Sequence, residues 1–194
     1  MSEARASFRL TYAEYLTLDR TSEVRHEFMN GEVFEMAGGT PEHGAVAMAV
    51  GGELRAALQG RPCRVFSSDV RVRIRTSGLT TYPDLSVVCD RLETDADDKD
   101  AITNPVVVVE VLSPSTEAYD RGAKAAHYRQ LPSLRELVLV SLVEPRVEVQ
   151  RRTDRGVWEL HEARAGERVE LVSLGVTLDV AALFQDPLGA GNRG

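Results

Sequence analysis

The feature that most constrains the fold is an apolar run, Val106-Val-Val-Val-Glu-Val-Leu112. β-Branched residues favour strands, and a run without polar alternation is typical of a strand that is covered on both faces. Such a strand needs a sheet with helices packed on it. The run is much shorter than the roughly 20 apolar residues of a membrane-spanning helix. We therefore expect an α/β or α+β domain with a central mixed β-sheet flanked by helices.

Local signals elsewhere predict the remaining elements. Thr11 to Glu14 has the sequence of a capping box, which opens a helix through about residue 18. Asn30-Gly31 predicts a two-residue turn that closes a β-hairpin, and Thr40-Pro41 begins a helix over residues 41–59. We also predict strands over 65–75, 85–89, 106–112, 134–142, 146–151, 157–160 and 169–174, a helix over 117–130, and a short helix that begins after Asp179.

The composition fits one domain. A chain of 194 residues with 43% hydrophobic and 27% charged residues is not disordered, collagen-like or coiled-coil in the main. We expect a single domain over residues 1–186 and a disordered tail over 187–194. The first nine residues lack the apolar core of a signal peptide, which favours a cytoplasmic protein without membrane partners. Cys63 and Cys89 have no CxxC spacing, so neither a disulfide framework nor a zinc site is indicated.

Charge is unevenly distributed. The formal net charge of −7 argues against a protein that coats nucleic acid non-specifically. However, residues 90–100 hold six acids and two bases, so −4 of this total falls in one segment, which we interpret as a solvated loop. Of the 23 basic residues, only Lys99 and Lys124 are lysines.

Two carboxylates stand at positions that the pattern marks as buried. Glu110 interrupts the apolar run, where an unpaired carboxylate is costly; the alternative to a functional role is a structural ion pair. Asp84 follows Pro83 where a strand begins, a place where aspartate also serves as a turn or capping residue. Together they suit Mg²⁺, which takes one or two carboxylates and keeps several waters.

Two further ionisable residues are candidates. The Asn30-Gly31 turn pairs Glu27 with Phe34, so Glu27 lies on the more apolar face of the hairpin, where Arg25 alone could neutralise it. Lys124 follows Asp120 by four residues, which is the spacing of an ordinary helix ion pair. A lysine in a chain that otherwise uses arginine nevertheless suggests a distinct role, because its compact charge can position water.

These residues carry a resemblance. Pro83-Asp84 followed by Glu110 in an apolar strand resembles the PD-(D/E)xK nuclease superfamily. One large bacterial branch of it, the putative restriction endonuclease domain family, is similar over most of the chain. The resemblance extends from the Thr11 capping box through Val147 and includes His26-Glu27, Asn30-Gly31-Glu32, Gly39-Thr40 with His43, Val109-Glu-Val-Leu-Ser-Pro-Ser-Thr116, Asp120, Lys124 and Tyr128.

The resemblance implies a restriction endonuclease-like core with a divalent metal, Mg²⁺ or Mn²⁺, held by Asp84 and Glu110. It implies Glu27 as an accessory carboxylate. The lysine of the (D/E)xK motif would be residue 112, which is leucine here, and Lys124 on the following helix fits the role instead. The implied activity is hydrolysis of phosphodiester bonds in DNA, in which the metal activates water and Lys124 orients that water or stabilises negative charge.

Weaker indications concern nucleic-acid contacts. Arg71, Arg73 and Arg75 share a strand face that could meet phosphates, although a solvated strand face explains them equally. His43, near a helix N-terminus, is either an anion contact or a helix-end side chain.

Other function classes stay open at this point. These are a catalytically silent module that binds nucleic acid or a protein partner, and an enzyme that acts on another phosphate ester. We expect a homodimer because cleavage of two strands generally needs two active sites.

Overall fold

The computed structural model describes residues 9–36 and 38–185; the tail predicted over 187–194 lies outside them. The helices are α1 (Tyr12–Thr21), α2 (Pro41–Ala57), α3 (Glu117–Tyr119), a π-helical turn (Asp120–Lys124), α4 (Ala125–Tyr128) and α5 (Val180–Leu183). The strands are β1 (His26–Met29), β2 (Glu32–Glu35), β3 (Cys63–Ser67), β4 (Arg71–Ile74), β5 (Leu79–Thr81), β6 (Leu85–Cys89), β7 (Ala101–Ile102), β8 (Val107–Leu112), β9 (Glu136–Ser141), β10 (Arg146–Arg152), β11 (Trp158–Arg164), β12 (Arg168–Leu171) and β13 (Val176–Asp179).

A six-stranded mixed sheet, in the order β11-β10-β9-β8-β6-β3, forms the centre of the described part of the chain. We call it the large sheet. Strand β8 pairs in parallel with β9 and antiparallel to β6. Every residue of β8 is buried, because Val109 faces a cluster that includes Val50 of α2, whereas Val108 faces Tyr128 of α4. The expected mixed sheet flanked by helices is therefore confirmed.

A second sheet, the small sheet, has the order β2-β1-β5-β4-β7. Its hairpin has the predicted register, with Glu27 opposite Phe34. Asn30 and Gly31 both have positive φ values, 48° and 99°, as a two-residue turn of this kind requires. The apolar side chains of β4 and β5 pack in one cluster with Tyr128 of α4 and with Val108 of the large sheet, so the two sheets and this helix share a core.

Several elements differ from the prediction. The strand predicted over 65–75 is two strands, β3 and β4, separated by a turn in which Ser67 Oγ donates to Asp69. The helix predicted over 117–130 contains the π-helical turn. None of the helices in residues 9–36 and 38–185 has the length and apolar character to cross a membrane.

The prediction of unpaired cysteines was wrong. Cys63 on β3 and Cys89 on β6 are directly opposite each other in an antiparallel pair and form a disulfide. Side chains of opposite residues share a face of the sheet and lie close together. The pairing follows from strand register, which the spacing of the two cysteines in the sequence does not reveal.

The interpretation of residues 90–100 as a solvated loop was also wrong in part. Asp95 and Asp98 are buried, with 1% and 0% of their surface exposed. The guanidinium of Arg75 binds Asp95, and that of Arg71 binds Asp98. The ion pairs of the two buried acids, Asp95 and Asp98, therefore attach this segment to the small sheet.

Candidate active site

The structure brings the side chains of Glu27, Glu110 and Lys124 together between the two sheets. Glu110 stands on β8 of the large sheet and Glu27 on β1 of the small sheet. Lys124 ends the π-helical turn between them. Lys124 Nζ lies 2.9 Å from Glu110 Oε1 and 3.1 Å from Glu27 Oε1. All three side chains are at most 8% exposed, so little solvent screens these contacts.

Lys124 stays charged in this setting. Burial alone would lower its pKa, but the nearby carboxylates, Glu110 foremost, raise the pKa of Lys124 well above its ordinary value. Asp120 contributes a third carboxylate at 3.6 Å. The sequence alternative of a simple Asp120–Lys124 ion pair therefore accounts for only one of three contacts. A lysine held this firmly as an ammonium can donate hydrogen bonds and stabilise negative charge, but it cannot serve as a general base at neutral pH.

Glu110 is the most perturbed acid of the group. Tyr128 donates its phenolic proton to Glu110 Oε1 at 2.5 Å. Burial raises the pKa of Glu110 to about 8, and the charge of Asp84 raises it further, whereas Lys124 opposes the change. The shift therefore reflects chiefly the removal of this carboxyl group from water.

Asp84 lies just before β6 and is anchored to the neighbouring strand. Its Oδ2 accepts a hydrogen bond from the backbone N–H of Val111 at 2.7 Å. His43 Nε2 lies 3.3 Å from the same oxygen, and the hydrogen bond to Asp84 raises the pKa of His43. Thr40 fixes the position of His43, because the Thr40 hydroxyl caps the helix by accepting from the His43 N–H. His43 therefore contacts an anionic group of the protein itself, the carboxylate of Asp84, from the first turn of the helix.

Glu27 is held by two hydroxyl groups that the sequence did not point to. Thr81 on β5 donates to Glu27 Oε1, and Tyr119 donates to Glu27 Oε2 at 3.0 Å. Arg25, the neutralising partner considered from the sequence, binds Asp69 instead. The register Glu27–Phe34 and the pairing of β1 with β5 would have indicated Thr81 only if the order of strands in the small sheet had been known.

The π-helical turn determines which side chains face the strands. Asp120 and Lys124 at its two ends are both buried, and Tyr128 follows one turn later. Single π-helical turns within α-helices occur frequently at functional sites. Leu112, at the position of the usual motif lysine, is 1% exposed and belongs to the apolar core. A lysine at position 112 would lose this apolar packing. The positively charged side chain of the site is instead Lys124, at the end of the π-helical turn.

Acidic side chains outnumber basic ones in the described part of the site. The carboxyl groups of Glu27, Asp84, Glu110 and Asp120 lie with two basic side chains, Lys124 and His43. A divalent cation would add positive charge to this group and favour the ionised form of Glu110.

The oxygen atoms also suit Mg²⁺. Oδ1 of Asp84 and Oε2 of Glu110 accept no hydrogen bond from any described residue, which leaves one oxygen on each carboxylate for a ligand. Two carboxylates are the number that Mg²⁺ takes when it keeps several waters. Among the described residues, no group of three or more His, Cys, Asp or Glu side chains is positioned to hold a metal ion.

The three arginines considered for phosphate contacts already have protein partners. Arg71 is 6% exposed and forms bidentate hydrogen bonds with Asp98. Arg73 donates to the carbonyl of Gly78, and its guanidinium lies 4.0 Å from the ring centroid of Tyr12. Arg75 binds Asp95 and Asp97. These contacts hold the acidic segment and α1 against the small sheet.

The fold and this group of carboxylates with one lysine define a restriction endonuclease-like domain. Residues 12–181 match the Uma2 family, whose description is "Putative restriction endonuclease", and the chain belongs to that family. The match covers both sheets and all of the side chains described above.

Other proteins are similar to this chain in sequence or in fold. The chain is 34% identical over 177 residues to the uncharacterized protein slr1290 of Synechocystis sp., an alignment that covers 91% of this chain and 92% of that one. It is 32% identical over 162 residues to the uncharacterized protein sll1609 of the same organism, covering 84% and 91%. Its fold is similar to the crystal structure of a protein described as a putative nuclease of DUF820 from Anabaena variabilis, with a TM-score of 0.75, 20% identity, and coverage of 90% and 97%.

Proposed function

We propose that this chain is a divalent-metal-dependent endonuclease that hydrolyses phosphodiester bonds in DNA. The observation that carries the proposal is the position of Lys124 Nζ, 2.9 Å from Glu110 and 3.1 Å from Glu27, in a site where the charge of Asp84 also acts on Glu110. Membership of a family described as restriction endonucleases supports the reaction class. A purely structural ion pair would need one acid for one lysine, whereas this lysine has three.

Asp84 and Glu110 are the residues that would hold the metal. When bound, Mg²⁺ or Mn²⁺ lowers the pKa of a water molecule and neutralises charge on the phosphate. Asp84 is positioned for this by the Val111 N–H, which uses only one of its two oxygens. Glu110 is positioned by Tyr128 in the same way.

Lys124 and Glu27 have complementary roles in the proposal. The Lys124 ammonium donates hydrogen bonds to the attacking water or to the phosphate oxygens, where negative charge develops during hydrolysis. Glu27 keeps Lys124 oriented and serves as an accessory acceptor. Since the pKa of Lys124 is raised, it acts as a fixed cation throughout the reaction and does not remove the proton of the water.

The test is nicking of supercoiled plasmid with Mg²⁺ or Mn²⁺. Asp84→Asn, Glu110→Gln and Lys124→Met should each lower the rate by at least about 10²-fold, a loss typical for removal of one charged group of a site of this kind. Lys99→Met is the matched control for Lys124→Met, because Lys99 is the other lysine of the chain and is exposed. Its rate should equal that of the native protein.

Two results would contradict the proposal. Cleavage that survives all three substitutions would place the active site elsewhere or assign the activity to a contaminant. Absence of cleavage with either metal, together with retention on DNA or on a protein at physiological salt, would support the catalytically silent binding module instead.

We also propose a homodimer, because two sites are needed to cut two strands in one encounter. Sedimentation of the native protein at micromolar concentration measures the mass directly. A strict monomer of 21.3 kDa would contradict this part of the proposal.

A further inference from the structure

Two aromatic rings stand exposed beside the Glu27–Lys124 pair. Phe34 is 50% exposed and Tyr119 is 39% exposed. Phe34 is directly opposite Glu27 in the hairpin, and opposite residues place their side chains on the same face of a sheet. Tyr119 contacts the same carboxylate, since its hydroxyl donates to Glu27 Oε2 at 3.0 Å. One ring is therefore on the small sheet and the other on α3, and both are next to Glu27.

The position of Phe34 is unusual for a packing residue. It lies on β2, which is the edge strand of the small sheet. Its neighbour across the strand pair is Glu27, a buried carboxylate that contacts Lys124. An exposed apolar ring on an edge strand normally favours aggregation. The ring of Phe34 would instead be functional if a ligand covered it.

The described residues around this site offer few positively charged side chains that could bind the phosphates of duplex DNA. Contacts to the backbone of duplex DNA depend on Lys and Arg side chains that neutralise phosphates. The nearby arginines of β4 are bound to Asp98, to Gly78 and Thr80, and to Asp95. Lys124 is buried, and the chain carries a net charge of −7. Aromatic rings provide a different source of affinity, because any base whose face is open can stack on them.

We propose that Phe34 and Tyr119 are base-stacking platforms next to Glu27 of the active site, and that the substrate is a strand with unpaired bases at the bond to be cut. Within an intact duplex, neighbouring bases cover each other's faces, so the rings have nothing to stack on unless a base is extruded. A single strand presents each base freely, and stacking on the two rings brings it to the surface beside Glu27. This inference rests on the proposed nuclease function and names its substrate class.

The test measures binding separately from cleavage. In buffer with EDTA, the probe is a single-stranded oligodeoxynucleotide that contains 2-aminopurine, whose fluorescence is quenched on stacking; the same strand annealed to its complement is the second probe. Native protein should bind the single strand more tightly than the duplex and quench it. Phe34→Ala should weaken single-strand binding by about tenfold or more, the fold-change that the loss of one base–aromatic stack produces.

Conservative variants make the test specific to the ring. Phe34→Trp should retain affinity and quenching, because it keeps a stacking surface. Tyr119→Phe keeps the ring and should also retain binding, whereas Tyr119→Ala should weaken it. Leu160→Ala is the matched control for loss of exposed apolar surface, since Leu160 is 63% exposed and lies on β11 of the large sheet. An RNA strand of the same sequence shows whether the sugar matters, because stacking itself does not depend on it.

The outcomes are distinct. Equal weakening of single-strand and duplex binding by Phe34→Ala, or loss of affinity in Phe34→Trp, would overturn the inference. A fall in the sedimentation coefficient of Phe34→Ala without loss of binding would also overturn it and would assign the ring to a contact between copies of the chain. Failure of the nuclease function is a separate result: native protein with Mg²⁺ or Mn²⁺ would then cleave neither probe.

Discussion

The burial of Glu110 predicts that Glu110→Gln gains stability relative to the native protein as the pH rises. In the native protein the pKa of Glu110 is about 8, against an ordinary value of 4.5, chiefly because the side chain is buried. The folded state therefore keeps a proton that the unfolded state releases, so the contribution of Glu110 to stability is fully present below about pH 4.5 and is lost as the pH rises to about 8. Glutamine has the same shape and does not titrate, so this loss is absent in the variant.

The size of the effect follows from the shift. Each pH unit between the two pKa values costs about 1.4 kcal/mol, so between pH 5.5 and 7.5 the native protein loses about 2–3 kcal/mol of unfolding free energy that Glu110→Gln retains. In the native protein the pKa of Lys124 lies above this range, so its ammonium group keeps its charge there.

Urea unfolding at pH 5.5 and 7.5 in EDTA, followed by circular dichroism, measures this change. Glu53→Gln is the control, because Glu53 is exposed on α2 and should show a difference from native that does not depend on pH. If Glu110→Gln also differed from native by a constant amount, Glu110 would be ionised in the folded protein at both pH values. Burial would then not raise the pKa of Glu110 into this pH range.

Two further predictions concern the structure around the site. Arg71→Gln should lower the unfolding free energy by about 3–5 kcal/mol in urea titrations, because it leaves Asp19 and Asp98 buried without their cation; an equally stable variant would show that these acids find other partners. Replacing both Cys63 and Cys89 by serine should cost about 3 kcal/mol, the amount expected for a disulfide that closes a loop of 26 residues. Thiol titration of the unsubstituted protein, denatured without reductant, should find no free thiol. Two thiols per chain would indicate that the disulfide does not form, as in a reducing cytoplasm.

Features set by neighbouring residues were predictable from the sequence. The hairpin register is correct because a two-residue Asn30-Gly31 turn allows only one pairing of the flanking strands. The capping box of Thr11 and Glu14 is present as predicted, since both of its hydrogen bonds lie within a single helical turn. Glu110 was singled out for the same reason, because the apolar residues on either side of it bury the position whatever the sheet order.

Features set by strand order were not predictable. The pairing of Cys63 with Cys89, and of Arg71 with Asp98, joins residues 26 and 27 positions apart on different elements. Residues 90–100 were assigned to solvent because the charges were counted within that segment alone. Such a count does not include Arg71 and Arg75, which bind two of its acids. The π-helical turn that presents Lys124 has no signature in helix propensity, since it differs from an α-helix only in which carbonyl each N–H selects.

The segment that joins β6 to β8 has an effect that extends beyond its own ion pairs. It leaves the large sheet at Cys89, contributes β7 to the small sheet in parallel with β4, and returns to the large sheet at Val107. The polypeptide therefore crosses from the large sheet to the small sheet and back, so a large displacement of one sheet would strain its covalent connection to the other. Glu27 comes from one sheet and Glu110 from the other, so the site exists only while the two are docked. A fragment that contained only one of the sheets would hold only part of the site. The contact of Lys124 with both Glu27 and Glu110 therefore forms only when both sheets have folded and docked.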